Sequence, residues 1–275
     1  NESARWCPSC AVGEMEEEIS AAAKATGWPL RFAFLEKENE AAMERLTADF
    51  VASINSGRAV LAYEPRGNMD VVFGYEDGGK TLLLRDYFQP DTPLKLAPTD
   101  LGFLVIFVGD YRQALPPRDA LTMALETAAR NWRRVKFSAG PGEYWYGAAA
   151  LDQWSSDIGR ADSFTPEERK QLGFVSWWNS TTMHDARLAA VTFLRGSASL
   201  LPSDAREALR RAADLYQQEA DLLASAFTNR DAFTGDSGDS PPEMRQREQQ
   251  ILGQASQIEA SAISSLEGAL AVSGP

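Results

Sequence analysis

Two cysteines stand in Trp6-Cys7-Pro8-Ser9-Cys10, just before a glutamate run, Glu14 and Glu16 to Glu18, that opens a helical pattern. A helix N-terminus lowers a thiol pKa and a second thiol can resolve a mixed disulfide. The pair could on that ground serve redox exchange, or supply a nucleophilic Cys7 or Cys10 in acyl chemistry. A thiol oxidoreductase would place a strand before this motif, where only Asn1 to Arg5 stand; packing or an incidental disulfide is the competing reading. The one histidine, His184, falls in Thr181-Thr182-Met183-His184-Asp185, at an expected helix start where Thr and Asp serve as caps. Two cysteines and one distant histidine leave a zinc shell incomplete. The glutamates read as a solvated first turn that suits the helix dipole, not as metal ligands. GxxxxGK[ST], GxGxxG and HExxH are all absent, so no metal and no cofactor is expected.

Aromatic residues cluster at Glu143-Tyr144-Trp145-Tyr146-Gly147 and at Trp177-Trp178-Asn179. Tyr144, Trp145 and Trp177 are candidate ligand-binding residues, because rings with a hydroxyl or indole N–H both fill and orient; packing between domains is the alternative.

Such residues need elements to carry them. The chain has 275 residues, 44% hydrophobic and 24% charged, as expected of one or two globular domains. Its 27 Lys and Arg against 39 Asp and Glu give a net charge of -12. That balance repels polyphosphates, so no nucleic-acid partner is expected, and salt-sensitive binding in a mobility-shift assay would contradict this. The most apolar stretch, Leu101 to Val108, is far too short to span a bilayer, so no membrane insertion is expected. The chain starts at Asn1 with no signal pattern, and a cytoplasmic location and export after processing are both left open.

Periodicity predicts a helix from Gly13 to Thr26, a strand from Leu30 to Leu35 and a helix from Ala41 to Ser56 stopped by Gly57. Strands follow at Ala59 to Tyr63, Asp70 to Tyr75 and Thr81 to Asp86, the last two joined in a hairpin by Glu76-Asp77-Gly78-Gly79. A Pro-containing loop, Gln89 to Pro98, precedes a strand from Leu101 to Val108. Beyond a boundary at Tyr111 to Pro117 the period turns helical, at Pro117 to Trp132, Tyr144 to Ile158, Pro166 to Trp178, Met183 to Ser197, Ser203 to Phe227 and Pro242 to Leu270. Thr234 to Pro242, rich in Gly, Ser, Asp and Pro, reads as a mobile connection.

Three stretches resemble the family of the butirosin biosynthesis protein H N-terminal domain and the C39-like, papain-fold peptidases. They are Ile54-Asn55-Ser56-Gly57-Arg58-Ala59-Val60-Leu61-Ala62, then Val71-Val72-Phe73-Gly74-Tyr75-Glu76-Asp77-Gly78-Gly79 running on to Leu84-Arg85-Asp86, and Tyr146-Gly147-Ala148-Ala149-Ala150-Leu151-Asp152-Gln153-Trp154 with the later Ala186 to Leu194. The resemblance implies an α+β chain, with a papain-like (cysteine-proteinase-type) α/β unit over residues 1–110 and an all-helical bundle over 117–275. It leaves room for an α/β unit that is incomplete at its N-terminus, since the nucleophile-bearing helix of such folds normally precedes these segments. In that family a Cys attacks a carbonyl, a His moves the proton and an Asn or Asp orients the His. Asp86 would be the orienting acid, while the place of the His reads Gly67-Asn68-Met69-Asp70. Asn68 and Asp70 are therefore candidate ligand-binding residues. The expected function is binding of a small molecule or peptide without an intact Cys-His pair. The alternative is a cysteine-dependent amide acyltransferase or hydrolase.

Overall fold

Glu40 to Asn55 folds as a helix because Asn39 caps its start, accepting the Ala42 N–H at 3.1 Å, and because Met43, Leu46 and Phe50 recur at helical spacing on one buried face. Gly57, at φ +79°, ends it where expected. The computed structural model describes residues 15–65, 69–86, 91–139, 142–227 and 241–273. Cys7, Cys10, Asn68 and most of the Thr234 to Pro242 connection lie outside them.

The described chain forms two compact units, divided at Pro117. The first holds α1 (Met15–Thr26), β1 (Leu30–Phe34), α2 (Glu40–Asn55), β2 (Val60–Tyr63), β3 (Met69–Glu76), β4 (Thr81–Arg85), β5 (Leu94–Leu96) and β6 (Leu104–Val108). All six strands join one antiparallel sheet in the order β1-β6-β2-β3-β4-β5. Alternation sets the inner face: Val60 and Ala62, Val72, Leu82 and Leu84, and Val105 and Phe107 are buried with the apolar face of α2, Phe50 lying 5.5 Å from Phe107. The β3–β4 hairpin turns at Asp77-Gly78-Gly79, all with positive φ. A Cβ on Gly79 would lie 2.8 Å from Val51 of α2, so glycine alone lets the turn lie this close to the helix.

One strand of this sheet was not expected. β5 falls inside the stretch read as a loop, where Leu94 and Leu96 pair with Leu84 and Leu82. Three residues among prolines are too short to show a period of two. β6 also begins later than expected, because Pro98–Asp100 form a 3₁₀ turn first.

The second unit holds α3 (Pro117–Arg133), β7 (Lys136–Ala139), β8 (Gly142–Trp145), α4 (Gly147–Gly159), α5 (Pro166–Ser197), α6 (Ser203–Phe227) and α7 (Pro242–Ser273). It is not all-helical, since β7 and β8 form a two-stranded antiparallel hairpin. Tyr144 and Trp145 therefore lie on a strand, not in the helix expected to start at Tyr144. The helix starts at Gly147, whose φ is +51° and where a Cβ would lie 2.0 Å from the Trp132 carbonyl oxygen. Gly147→Ala is expected to lower stability by about 1–3 kcal/mol in urea titrations. Gly196→Ala, at a helical position with open space around it, should be neutral or slightly stabilising.

The two helices expected at Pro166 to Trp178 and Met183 to Ser197 are one. Thr165 and Glu168 form a capping box with Pro166 at the first turn. The polar run Asn179-Ser180-Thr181-Thr182, which reads as a cap, does not interrupt the helix. Ser180 Oγ donates to the Trp177 carbonyl at 2.8 Å and Thr182 Oγ1 to that of Trp178 at 3.0 Å, so these hydroxyls bond to the helix itself. His184 accordingly sits inside a helix, half-buried, and not at a helix start.

Candidate functional site

Helices α6 and α7 meet along a heptad seam. Leu209, Tyr216 and Leu223 recur every seventh residue on α6, as do Ala205, Ala212 and Glu219. On α7 the same spacing links Leu252, Glu259 and Leu266, and separately Ala255, Ala262 and Ala269. All twelve are buried, and the alanines let the backbones approach closely. One layer of this seam is polar: Tyr216, Glu219 and Glu259 take positions that leucine and alanine hold elsewhere. Helix α5 supplies the counter-charge, because Arg187 precedes Val191, Leu194 and Ala198 on the face it turns to the core.

Arg187 Nε donates to Glu219 Oε2 at 3.0 Å, and Arg187 Nη2 lies 2.6 Å from Glu259 Oε2. Tyr216 OH donates to Glu259 Oε1 at 3.3 Å, and the guanidinium carbon stands 5.1 Å from the Tyr216 ring centroid. Glu219 is fully buried and Glu259 is 5% exposed, while the Arg187 side chain keeps 21% of its surface.

Two carboxylates share one guanidinium here, and burial decides the outcome. Desolvation, reinforced by the charge of Glu259, pushes the Glu219 carboxyl up to about 9 despite Arg187 beside it, so it is protonated at neutral pH. Its Oε1 accepts no hydrogen bond among the described residues, and Glu259 lies within hydrogen-bonding reach, so the retained proton can bridge the two. Tyr216 is raised by the same burial and by Glu259. Burial alone would lower Arg187, but Glu259 and Glu219 outweigh it and hold the guanidinium charged.

This layer borders a cavity of about 470 Å³ within the helical unit. Its walls are mainly apolar, with Leu125 and Trp132 from α3, Leu151 from α4, Met183 and Phe193 from α5, and Leu266 from α7. Tyr146 and Gly147 close it between β8 and α4, and Arg187, Tyr216 and Glu259 border it with their polar ends. Asn131 also lines it, and its Oδ1 is buried without a hydrogen-bond partner among the described residues. Volume, apolar walls and a few convergent polar groups are the make-up of a small-molecule site.

The residues singled out from the sequence sit elsewhere. Tyr144 and Trp145 lie on β8 beside the cavity-lining Tyr146 without lining it themselves; Lys136 Nζ covers the Trp145 ring at 5.5 Å. Trp177 belongs to an aromatic group with Phe174 and Trp178, at centroid distances of 6.1 and 5.9 Å. In the sheet unit Asp70 and Asp86 are both buried, at 1% and 3% exposure. They continue the inner-face rows of Val72 and of Leu82 and Leu84, and Glu64, buried likewise, continues that of Val60 and Ala62. Glu64 was missed in the sequence, although the same period of two points to it. Among the described residues no group of three or more His, Cys, Asp or Glu is placed to hold a metal ion, and no helix is long and apolar enough to cross a membrane.

No protein-family model matches the chain, and no curated protein matches it.

Proposed function

We propose that this chain is a small-molecule-binding protein in which a papain-like α/β unit accompanies a helical unit that holds the ligand. The observation that carries the reading is the cavity of about 470 Å³, apolar on its walls and bordered by a buried Arg-Glu-Glu-Tyr layer. An apolar core gains no stability from such a layer, since a buried ion pair seldom repays its desolvation, whereas a binding site needs polar groups that orient a ligand. The papain-like part draws support from the antiparallel sheet with α2 on its inner face and from the sequence resemblance.

Indole is a suitable neutral probe of this site. Trp132 lines the cavity, and saturation-transfer NMR reads occupancy directly. Indole is expected to bind the wild-type chain, and Ala190→Leu, which fills the cavity from α5, is expected to weaken it by about tenfold or more. An unbound probe, or one indifferent to that substitution, would overturn the reading.

One observation favours the rival, a cysteine-dependent amide acyltransferase or hydrolase: Asp86 is buried at the end of β4, where the resemblance asks for an orienting acid. With no His in the Gly67 to Asp70 stretch where the resemblance asks for one, nothing there both generates a thiolate and protonates a leaving amine. The expected result is therefore no turnover of peptide or amide substrates by the purified chain. Robust turnover abolished by Cys7→Ser or Cys10→Ser and by His184→Ala would establish the rival.

A further inference from the structure

We infer that the ligand of the helical cavity is an organic monocation, an ammonium group on an apolar body, whose charge docks against Glu259 and the Arg187–Glu219 layer behind it. The inference rests on the small-molecule reading of this cavity and deepens it.

Charge balance is the first ground. Arg187 from α5 faces Glu219 and Tyr216 from α6 and Glu259 from α7, and among the described residues Arg187 and Glu259 are the only charged ones lining the cavity. One guanidinium against two carboxylates leaves the layer one positive charge short. In water that shortfall is trivial, but in a dry site it is costly. A proton makes it good in the unliganded protein, and a ligand ammonium reaching Glu259 from the cavity can replace that proton.

The second ground is the polar inventory. The cavity offers acceptors: a carboxylate at Glu259 and a buried Asn131 Oδ1 that receives no hydrogen bond among the described residues. Its charged donor and the tyrosine hydroxyl of the layer are engaged, Arg187 with two carboxylates and Tyr216 OH with Glu259. The third ground is the walls. Trp132, Tyr146 and Phe193 bring aromatic rings, whose faces attract cations. A carboxylate ligand would compete with Glu219 and Glu259 for a guanidinium that already serves both. A sugar would leave most of its hydroxyls against apolar surface.

A matched set on one body separates the cases: 4-phenylbutylamine, 4-phenylbutan-1-ol and 4-phenylbutyrate, titrated calorimetrically into the full chain at pH 7. The amine is expected to bind about tenfold or more tightly than the alcohol, as a charge-assisted contact in a dry site should, with the butyrate weakest. Glu259→Gln is expected to erase that preference while leaving the alcohol little changed. Should that variant not fold, proton linkage on the wild-type chain decides alone. Because Glu219 holds its proton to about 9, amine binding at pH 7 is expected to release about one proton and alcohol binding none. Titrations in phosphate and Tris, whose ionisation heats differ, read this difference. Amine preference without proton release would place the amine elsewhere and overturn the inference. Alcohol or butyrate binding as well as the amine would overturn the cationic ligand and leave the cavity reading standing. If none of the three binds, both fall.

Discussion

Arg187→Met should lower the free energy of unfolding by about 3–5 kcal/mol at pH 8, the largest single effect expected in the helical unit. Methionine fills much the same volume and suits a helix, so packing and propensity change little. What changes is that Glu219 and Glu259, both almost fully buried, lose the one cation they share among the described residues. The penalty is an uncompensated buried charge and not the strength of the lost ion pair. Urea titrations at pH 8 measure it. Arg187→Lys should recover part of the stability, because an ammonium restores the charge but not the planar fork that meets two carboxylates from two helices. A loss below about 1 kcal/mol at pH 8 would mean that water reaches the layer and that burial does not govern its chemistry.

The second large effect is on pH dependence. In the unfolded chain Glu219 titrates near its ordinary 4.5, and in the fold near 9. Between these values the folded state binds a proton that the unfolded state lacks, so stability falls as pH rises. The contribution is whole below about 4.5, declines across the window and is lost once pH passes about 9. Its slope is at most about 1.4 kcal/mol per pH unit for one proton. Tyr216 and Arg187, both raised, keep their protons throughout this window. Glu219→Gln keeps the shape and removes the titration. Its stability should be flatter with pH than the wild type's and should exceed it on the alkaline side. Parallel slopes for the two proteins from pH 5 to 9 would show that Glu219 does not carry the linkage.

Much of the sheet unit was legible because its signals are local. Alternation in Val60 to Tyr63 and Met69 to Glu76, the Asp77-Gly78-Gly79 turn and the Gly57 stop each act within a few residues, and the structure uses each of them. β5 escaped because Leu94 and Leu96 are too few to show a period, and the β7–β8 hairpin because aromatic Tyr144 and Trp145 fit a strand or a helix edge equally well. His184 was misplaced for a physical reason: hydroxyls that suit a cap can also bond to the preceding turn of a continuous helix, and Ser180 and Thr182 do so.

The polar layer of the cavity is encoded in the sequence only at long range. Glu219 and Glu259 read as surface residues on alanine-rich helices, and only the sevenfold spacing with their apolar neighbours reveals that each stands in a core row. The partnership with Arg187 spans three helices, and no local pattern contains it. The candidate residues chosen for their chemistry, such as Trp145 and Trp177, were judged by type alone. Type does not say which way a helix or strand turns a side chain.

The seam between α6 and α7 repeats itself, and repetition carries an ambiguity. Layers of alanine and leucine that recur every seventh residue would accept α7 slid by one heptad along α6 nearly as well as the native alignment. The charged layer would not. A slide of one heptad in either direction sets Glu259 among the alanines and leucines of a neighbouring layer, away from the guanidinium of Arg187 and the hydroxyl of Tyr216. It also leaves Glu219 facing leucine, and several kcal/mol of desolvation per ion go unanswered. The layer that costs the core stability thus fixes its alignment. Replacing Arg187, Glu219 and Glu259 together by methionine and leucines should give a bundle that melts higher but whose helices no longer hold a single mutual offset. Cysteine cross-linking between α6 and α7 would then trap offsets one heptad apart.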